Sequence, residues 1–295
     1  MQEILVTQNL CKRYGNTLAV DNVSISVPQG SICGLVGKNG AGKTTLMRML
    51  CGLVAPNQGS ICLVPNQART STTVGAVVES PSLYQEFCAM DNLVCQCKLL
   101  GVPADKTYLE QTLELCGIGN TGAKKVKDFS LGMKQRLAIA MALVGKPQLL
   151  ILDEPTNGLD PEGIHNMRNL FVELNQKLGI SMLISSHILA ELEKFATEFL
   201  FMHKGKIVAH VTQQKLAQIT KKGLQFVVDN AENALPVVQN LGECAVDGNK
   251  ITLFGEVDVT DVVVGLFNAG VRVLSVVSVG ETLEDFFIRC VGGAL

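Results

Sequence analysis

The chain has no basic excess. Its 25 Lys and Arg stand against 27 Asp and Glu, for a formal net charge of −2. Nucleic-acid binders usually carry a basic patch or stripe, so charge makes no case for that partner. An uninterrupted apolar run of spanning length is also missing. The nearest approach is VVVGLFNAGVRVLSVVSV, residues 262–279, whose eighteen residues only just reach the minimum for a membrane span. Asn268, Gly270 and Arg272 interrupt its middle. A helix ending at Asn268-Ala269-Gly270 followed by a strand from Val271 explains the stretch better, because Gly just past the last periodic residue is a helix stop. The chain is therefore expected to be soluble by itself.

A zinc-type CxxC pair and an amino-terminal signal peptide are likewise lacking. The ten cysteines (Cys11, Cys33, Cys51, Cys62, Cys88, Cys95, Cys97, Cys116, Cys244 and Cys290) are scattered through apolar stretches. They read as reduced, mostly buried thiols of a cytosolic protein. Cys95 and Cys97, two apart, point to different faces of a helix, so their closeness reads as coincidence.

What is present is length and apolar content enough for one large domain or two: 295 residues, 47% of them apolar, suit a packed core. Apolar runs around Ile4–Val6 and Val23–Val27, with turn signals at Tyr14-Gly15-Asn16 and Pro28-Gln29-Gly30, predict small antiparallel strands. From Ser31 strands and helices alternate. A strand over 31–36, a glycine loop, a helix from about 43, and buried strands at 148–152 and 181–185 describe an α/β core, and runs such as QLLIL suit a sheet covered on both faces. Between about 80 and 145 apolar residues recur at helical spacing (Leu93, Val94, Cys97, Leu100; Leu109, Leu113, Leu115, Cys116), which predicts a helical insertion. Composition shifts again near Thr220-Lys221-Lys222-Gly223. Beyond it the order strand (224–229), helix (231–241), strands (243–247 and 250–254), helix (259–268), strand (271–279) and a short helix with Leu283, Phe286 and Phe287 predicts a small ferredoxin-like domain.

Residues 37–44, GKNGAGKT, match G-x-x-x-x-G-K-[ST] directly after a strand and before a helix. In such a loop Gly37, Gly40 and Gly42 let backbone N–H groups wrap phosphates, Lys43 reaches the outer two, and the Thr44 hydroxyl helps hold Mg²⁺. The helix N-terminus adds a favourable dipole. LLILDEP supplies the complementary acids, with Asp153 for the magnesium shell and Glu154 as candidate general base for an attacking water. Two acids at the tip of an apolar strand need a cation or a held water as compensation. Thr156-Asn157-Gly158-Leu159-Asp160-Pro161 is a turn with an acid in it. Ser185-Ser186-His187 ends the next strand with a histidine, whereas His165, His203 and His210 read as ordinary polar residues.

The ordered set GKNGAGKT, FSLGM, LLILDEP, NGLD and SSH resembles the nucleotide-binding subunit of ATP-binding cassette transporters, over roughly residues 3–220. The resemblance implies a P-loop ATPase core with an antiparallel β subdomain and a helical insertion over about 80–145, within a domain of residues 1–220. The remainder, 224–295, would be an accessory α+β domain. It implies ATP and Mg²⁺ as cofactors, with Lys38, Asn39, Ala41 and Thr45 beside the loop residues already named. Tyr14 in CKRYGN sits where an aromatic stacks on adenine; alone it would read as a half-buried strand-end tyrosine. Asp160 is counted with the nucleotide-binding residues, and Ser130 and Gly132 of FSLGM would meet the nucleotide of a second copy, giving a homodimer around two ATP molecules.

Two departures from the family pattern carry information. Where family members usually have a glutamine that touches the magnesium shell and senses the membrane partner, this chain has Glu79 in GAVVESPSLYQEF; a surface-loop glutamate is the alternative reading. The signature FSLGM has Leu131 for a glycine and Met133 for a glutamine of LSGGQ. Together with SPSLY and the ending TLEDFFIRCVGG, these departures resemble the subgroup that exports bacitracin-like or lantibiotic peptides and confers self-immunity in Gram-positive bacteria. The resemblance thus implies an MgATP-hydrolysing exporter subunit on the cytoplasmic face of a bacterial membrane. It would touch the membrane only through separately encoded permease subunits, docking near Glu79 and Tyr84, and would bind no nucleic acid. Exporters of other compounds, cassette ATPases acting on the ribosome or DNA, and an ATP-occupancy switch with little turnover are the rival readings.

Overall fold

The computed structural model describes residues 2–63, 74–79, 82–219, 223–255, 258–280 and 283–292. The chain divides into two compact units, Met1–Thr212 and Gln213–Leu295. Composition alone drew the boundary later, around residues 220–223, of which 220–222 lie outside the described residues; so do Ser80 and Pro81 of the Glu79 loop.

The first unit opens with β1 (Glu3–Tyr14), β2 (Thr17–Val23) and β3 (Ser26–Pro28). Strand β4 (Ile32–Val36) runs into α1 (Lys43–Leu50), followed by β5 (Gln58–Leu63) and β6 (Val74–Val77). Three helices come next, α2 (Ala89–Leu100), α3 (Lys106–Leu115) and α4 (Leu131–Leu143). The unit closes with β7 (Leu149–Asp153), α5 (Pro161–Leu178), β8 (Ser181–Ser186), α6 (Leu189–Leu192), β9 (Glu198–His203) and β10 (Lys206–Thr212).

Two sheets result. In the antiparallel one β1 lies between β2 and β3 and also pairs β5. The sequence pattern reads only a short run at Ile4–Val6, yet β1 continues to Tyr14. Asn9 stands at φ 49°, register shifts interrupt the pairing between Gln8 and Arg13, and Asn tolerates the left-handed region better than most residues. The second sheet has the order β10-β9-β4-β8-β7-β6, with β4 parallel to β8 and β9, and β7 parallel to β8 and β6. Leu149, Leu150, Ile151 and Leu152 are fully buried, as a strand covered on both faces requires. Strands β5, β6, β9 and β10 went unread. Most of β5 is exposed and β6 has four residues, so neither leaves a readable period.

The described part of the 80–145 stretch is helical as expected, and α3 and α4 start at side-chain caps: Asp105 accepts from the Tyr108 N–H and Ser130 from the Met133 N–H, satisfying donors that the first turn leaves orphaned.

The second unit comprises α7 (Gln213–Ile219), β11 (Gly223–Val228), α8 (Ala231–Gln239), β12 (Cys244–Asp247), β13 (Lys250–Phe254), α9 (Val259–Asn268), β14 (Val273–Val279) and α10 (Leu283–Gly292). Its four strands pair antiparallel in the order β12-β13-β11-β14. Phe226, Val228, Ile251, Leu253, Val262 and Leu266 fill its core. The βαββαβ order is that of a ferredoxin-like fold. The apolar stretch 262–279 splits between α9 and β14, with Gly270 at φ 72° between them. Among the described residues no helix is long and apolar enough to cross a membrane.

Candidate functional site

The site grows from the junction of β4 and α1. Gly42 precedes α1 at φ 108°, a conformation open to glycine and costly for other residues. A Cβ there would lie 2.4 Å from the Ala19 carbonyl oxygen, and one on Gly37 would lie 2.5 Å from the Met202 carbonyl oxygen. The loop is thus pressed between β2 and β9, with its backbone N–H groups at a helix start that favours anions.

The side chains following it are committed. Lys43, only 6% exposed, donates to the Gly37 carbonyl at 2.6 Å and lies 3.2 Å from Glu154 Oε1. Thr44 Oγ1 donates to Asp153 Oδ2 at 2.7 Å. The other Asp153 oxygen accepts from Ser185 Oγ at 2.5 Å, and the same Ser185 hydroxyl accepts from the Glu154 N–H at 2.8 Å. Glu154 has φ 49°. His187 Nδ1 lies 2.8 Å from Glu154 Oε2, and because a carboxylate only accepts, Nδ1 carries the hydrogen. Glu154 Oε1 is buried and has an ammonium beside it but no hydrogen bond.

This arrangement fits Mg²⁺. The Thr44 hydroxyl and the Asp153 carboxylate meet as hard oxygen donors. Magnesium is commonly held by one or two carboxylates plus substrate phosphates and water. The unbonded Glu154 oxygen suits a water held by its proton.

A cleft of about 460 Å³ opens here, lined by Asn39, Gly40, Ala41, Gly42, Lys43, Thr44, Thr45 and Glu154, a size typical of small-molecule sites. Thr17, Leu18 and Ala19 of β2 and the Lys204-Gly205 turn joining β9 to β10 complete it. Sequence reasoning missed those five, because they sit in segments without a motif. The other expected residues do not line it. Lys38 is exposed. Tyr14 is 45% exposed at the end of β1, with Lys12 Nζ 5.3 Å from its ring centre.

The Glu79 carboxylate pairs with Arg48 Nη2 at 2.5 Å. The guanidinium of the preceding helix, four residues past Thr44, captures it, which the spacing of 31 residues concealed.

Ser130 and Asp160 serve as N-caps within the chain. Asp160 Oδ1 accepts from the Gly163 N–H at 3.0 Å and Ser130 Oγ accepts from the Met133 N–H at 3.3 Å. Capping occupies a lone pair of Ser130 and leaves its O–H free to donate. Gly132 faces Leu159, and Leu131 packs over Gly158, so the FSLGM helix start abuts the NGLD turn. Neither segment reaches the cleft of its own chain.

The family model described as ABC transporter matches residues 20–157. The chain is 37% identical over 304 residues to the bacitracin transport ATP-binding protein BcrA of Bacillus licheniformis, covering 99% of both chains. It is 44% identical over 207 residues to the lantibiotic transport ATP-binding protein SrtF of Streptococcus pyogenes, covering 70% of this chain and 89% of that protein. Among solved structures it is similar to cbiO1 from Clostridium perfringens, part of the ABC transporter complex cbiONQ, with a TM-score of 0.65 and 27% identity over 74% of this chain and 92% of that one. With similarity running the whole length, and with the phosphate loop, paired acids and histidine linked by direct contacts, the chain belongs to the ABC transporter ATP-binding family, whose activity is ATP hydrolysis.

Proposed function

We propose that this chain is the ATP-hydrolysing subunit of an exporter for a peptide antibiotic of the bacitracin or lantibiotic kind. The observation that carries the reading is identity spread over 99% of both chains to a bacitracin transport subunit, so that the second unit is included and not the ATPase core alone.

In this reading the loop N–H groups and Lys43 bind the β- and γ-phosphates, and Tyr14 stacks on the base. Thr44 and Asp153 hold Mg²⁺, which when bound draws negative charge off the phosphates. Glu154 Oε1, the buried oxygen without a hydrogen bond, takes a proton from a water as that water's oxygen bonds to the γ-phosphorus. The bond to the β–γ bridging oxygen breaks, leaving ADP and phosphate. His187 holds the other Glu154 oxygen and so orients the base. Ser130, Gly132 and Asp160 act on the nucleotide of a second copy. A head-to-tail dimer with two ATP molecules between copies follows from that assignment. Separate permease subunits would supply the membrane path and place the chain on the cytoplasmic face.

Purified protein is expected to hydrolyse MgATP, and Glu154→Gln to lose about a hundredfold or more in kcat while still binding ATP. Wild-type turnover in that variant would remove Glu154 from the mechanism. Coexpression with its permease in a susceptible Gram-positive host should raise tolerance to bacitracin or a lantibiotic, and Glu154→Gln should abolish the gain. Unchanged tolerance with intact ATP hydrolysis would reassign the cargo.

A further inference from the structure

We infer that Ser185 is a positioning residue for ATP hydrolysis, whose hydroxyl sets the Asp153 carboxylate and the Glu154 backbone together. The inference rests on the reading of those two acids given above.

Ser185 is the penultimate residue of β8 and lies beside Asp153 in the parallel register of β7 and β8, and it is fully buried. A hydroxyl has one hydrogen and two lone pairs. Here the hydrogen goes to Asp153 Oδ1 at 2.5 Å and a lone pair receives the Glu154 N–H at 2.8 Å. Both bonds coexist without competition.

The consequences differ for the two acids. The terminal torsion of an aspartate is broad, so a carboxylate bonded at one oxygen alone can swing. With Oδ1 on Ser185 and Oδ2 on Thr44, the plane of Asp153 is held from both sides. Glu154 sits at φ 49°, which a non-glycine residue adopts only where its surroundings over-determine it. The bond from its N–H to Ser185 is one such determinant, and it aims the side chain at Lys43 and His187. The neighbouring hydroxyl cannot substitute, because Ser186 Oγ is engaged with the Ile188 backbone. Alanine at 185 would leave a buried carboxylate oxygen and the part-buried Glu154 N–H short of a partner.

The test uses the full chain with Ser185→Ala, Ser185→Thr and Glu154→Gln. Three quantities are measured: kcat and KM for MgATP, affinity for a fluorescent ATP analogue with and without Mg²⁺, and the thermal midpoint. Residues that orient metal ligands typically cost tenfold or more when removed, so Ser185→Ala should lose about tenfold or more in kcat and about fivefold in the Mg²⁺ enhancement of binding. Metal-free affinity should stay within about twofold, and Ser185→Thr should recover most of both losses. Unchanged kcat and Mg²⁺ enhancement in Ser185→Ala, with Glu154→Gln inactive, would overturn the positioning role alone. Wild-type turnover in Glu154→Gln would overturn the underlying assignment of the acids. A loss of metal-free affinity as large as the loss of kcat would indicate collapse of the whole cleft and would also overturn the inference. Should Ser185→Ala fail to fold, Ser185→Cys keeps the volume with a weak donor and must give the same Mg²⁺ and kcat losses.

Discussion

Three glycines of the phosphate loop separate two physical demands, backbone conformation and close approach. Gly40 sits at φ 79° with nothing within 4 Å of where a Cβ would stand. Replacing it by alanine adds left-handed strain alone, about 1 kcal/mol. Gly37 is not left-handed, but its Cβ would meet the Met202 carbonyl oxygen at 2.5 Å, so Gly37→Ala adds overpacking alone, about 2 kcal/mol. Gly42 combines both, with φ 108° and a Cβ 2.4 Å from the Ala19 carbonyl oxygen and 2.8 Å from Met202 Cε. The methionine end can swing aside; the carbonyl belongs to β2 and cannot without displacing a strand. Gly42→Ala should therefore cost roughly 3–4 kcal/mol, near the sum of the other two, and lower the midpoint of the first unit by about 10 °C. The chain has no tryptophan, so far-UV circular dichroism or calorimetry is the assay, with ATP binding measured in parallel. Because β2 lines the cleft, the affinity loss should also rank Gly42 first. If Gly42→Ala matched Gly40→Ala within about 0.5 kcal/mol, the close approach of Ala19 would carry no energy and the reasoning would fail.

Thiol chemistry offers a second check. Burial pushes the Cys51 and Cys116 thiols up to about 12 and raises Cys33 further still, and the thiolate is the reactive form. In native protein at pH 8 an aromatic disulfide reagent should label exposed Cys62 first and leave those three until denaturant is added; prompt labelling of Cys33 would contradict its place in β4. Glu79→Gln removes the exposed ion pair with Arg48, so stability should change by less than about 1 kcal/mol. The Mg²⁺ concentration for half-maximal turnover should shift, and an unchanged value would leave Glu79 a surface-loop residue.

Much of the site was legible because its chemistry is local. GKNGAGKT and LLILDEP each carry their strand-to-loop context within a few residues, and the buried strands β4, β7 and β8 read as continuous apolar runs. The helix stop at Gly270 was equally readable, since a left-handed glycine terminates a periodic run. Where local signals failed, the reason was non-local pairing: β5 is largely exposed and finds β1 across more than forty residues, and the Arg48–Glu79 pair joins separate segments.

By itself, then, the amino-acid sequence determined the family, the phosphate loop, the two acids and the histidine, because each is encoded by residue types in contiguous order. Only the tertiary structure decided what those groups do to one another. Parallel register places Ser185 beside Asp153, close packing presses Gly42 against Ala19, and Arg48 takes the carboxylate of Glu79. Such partnerships are set by distances across a folded sheet, and spacing along the chain does not encode them.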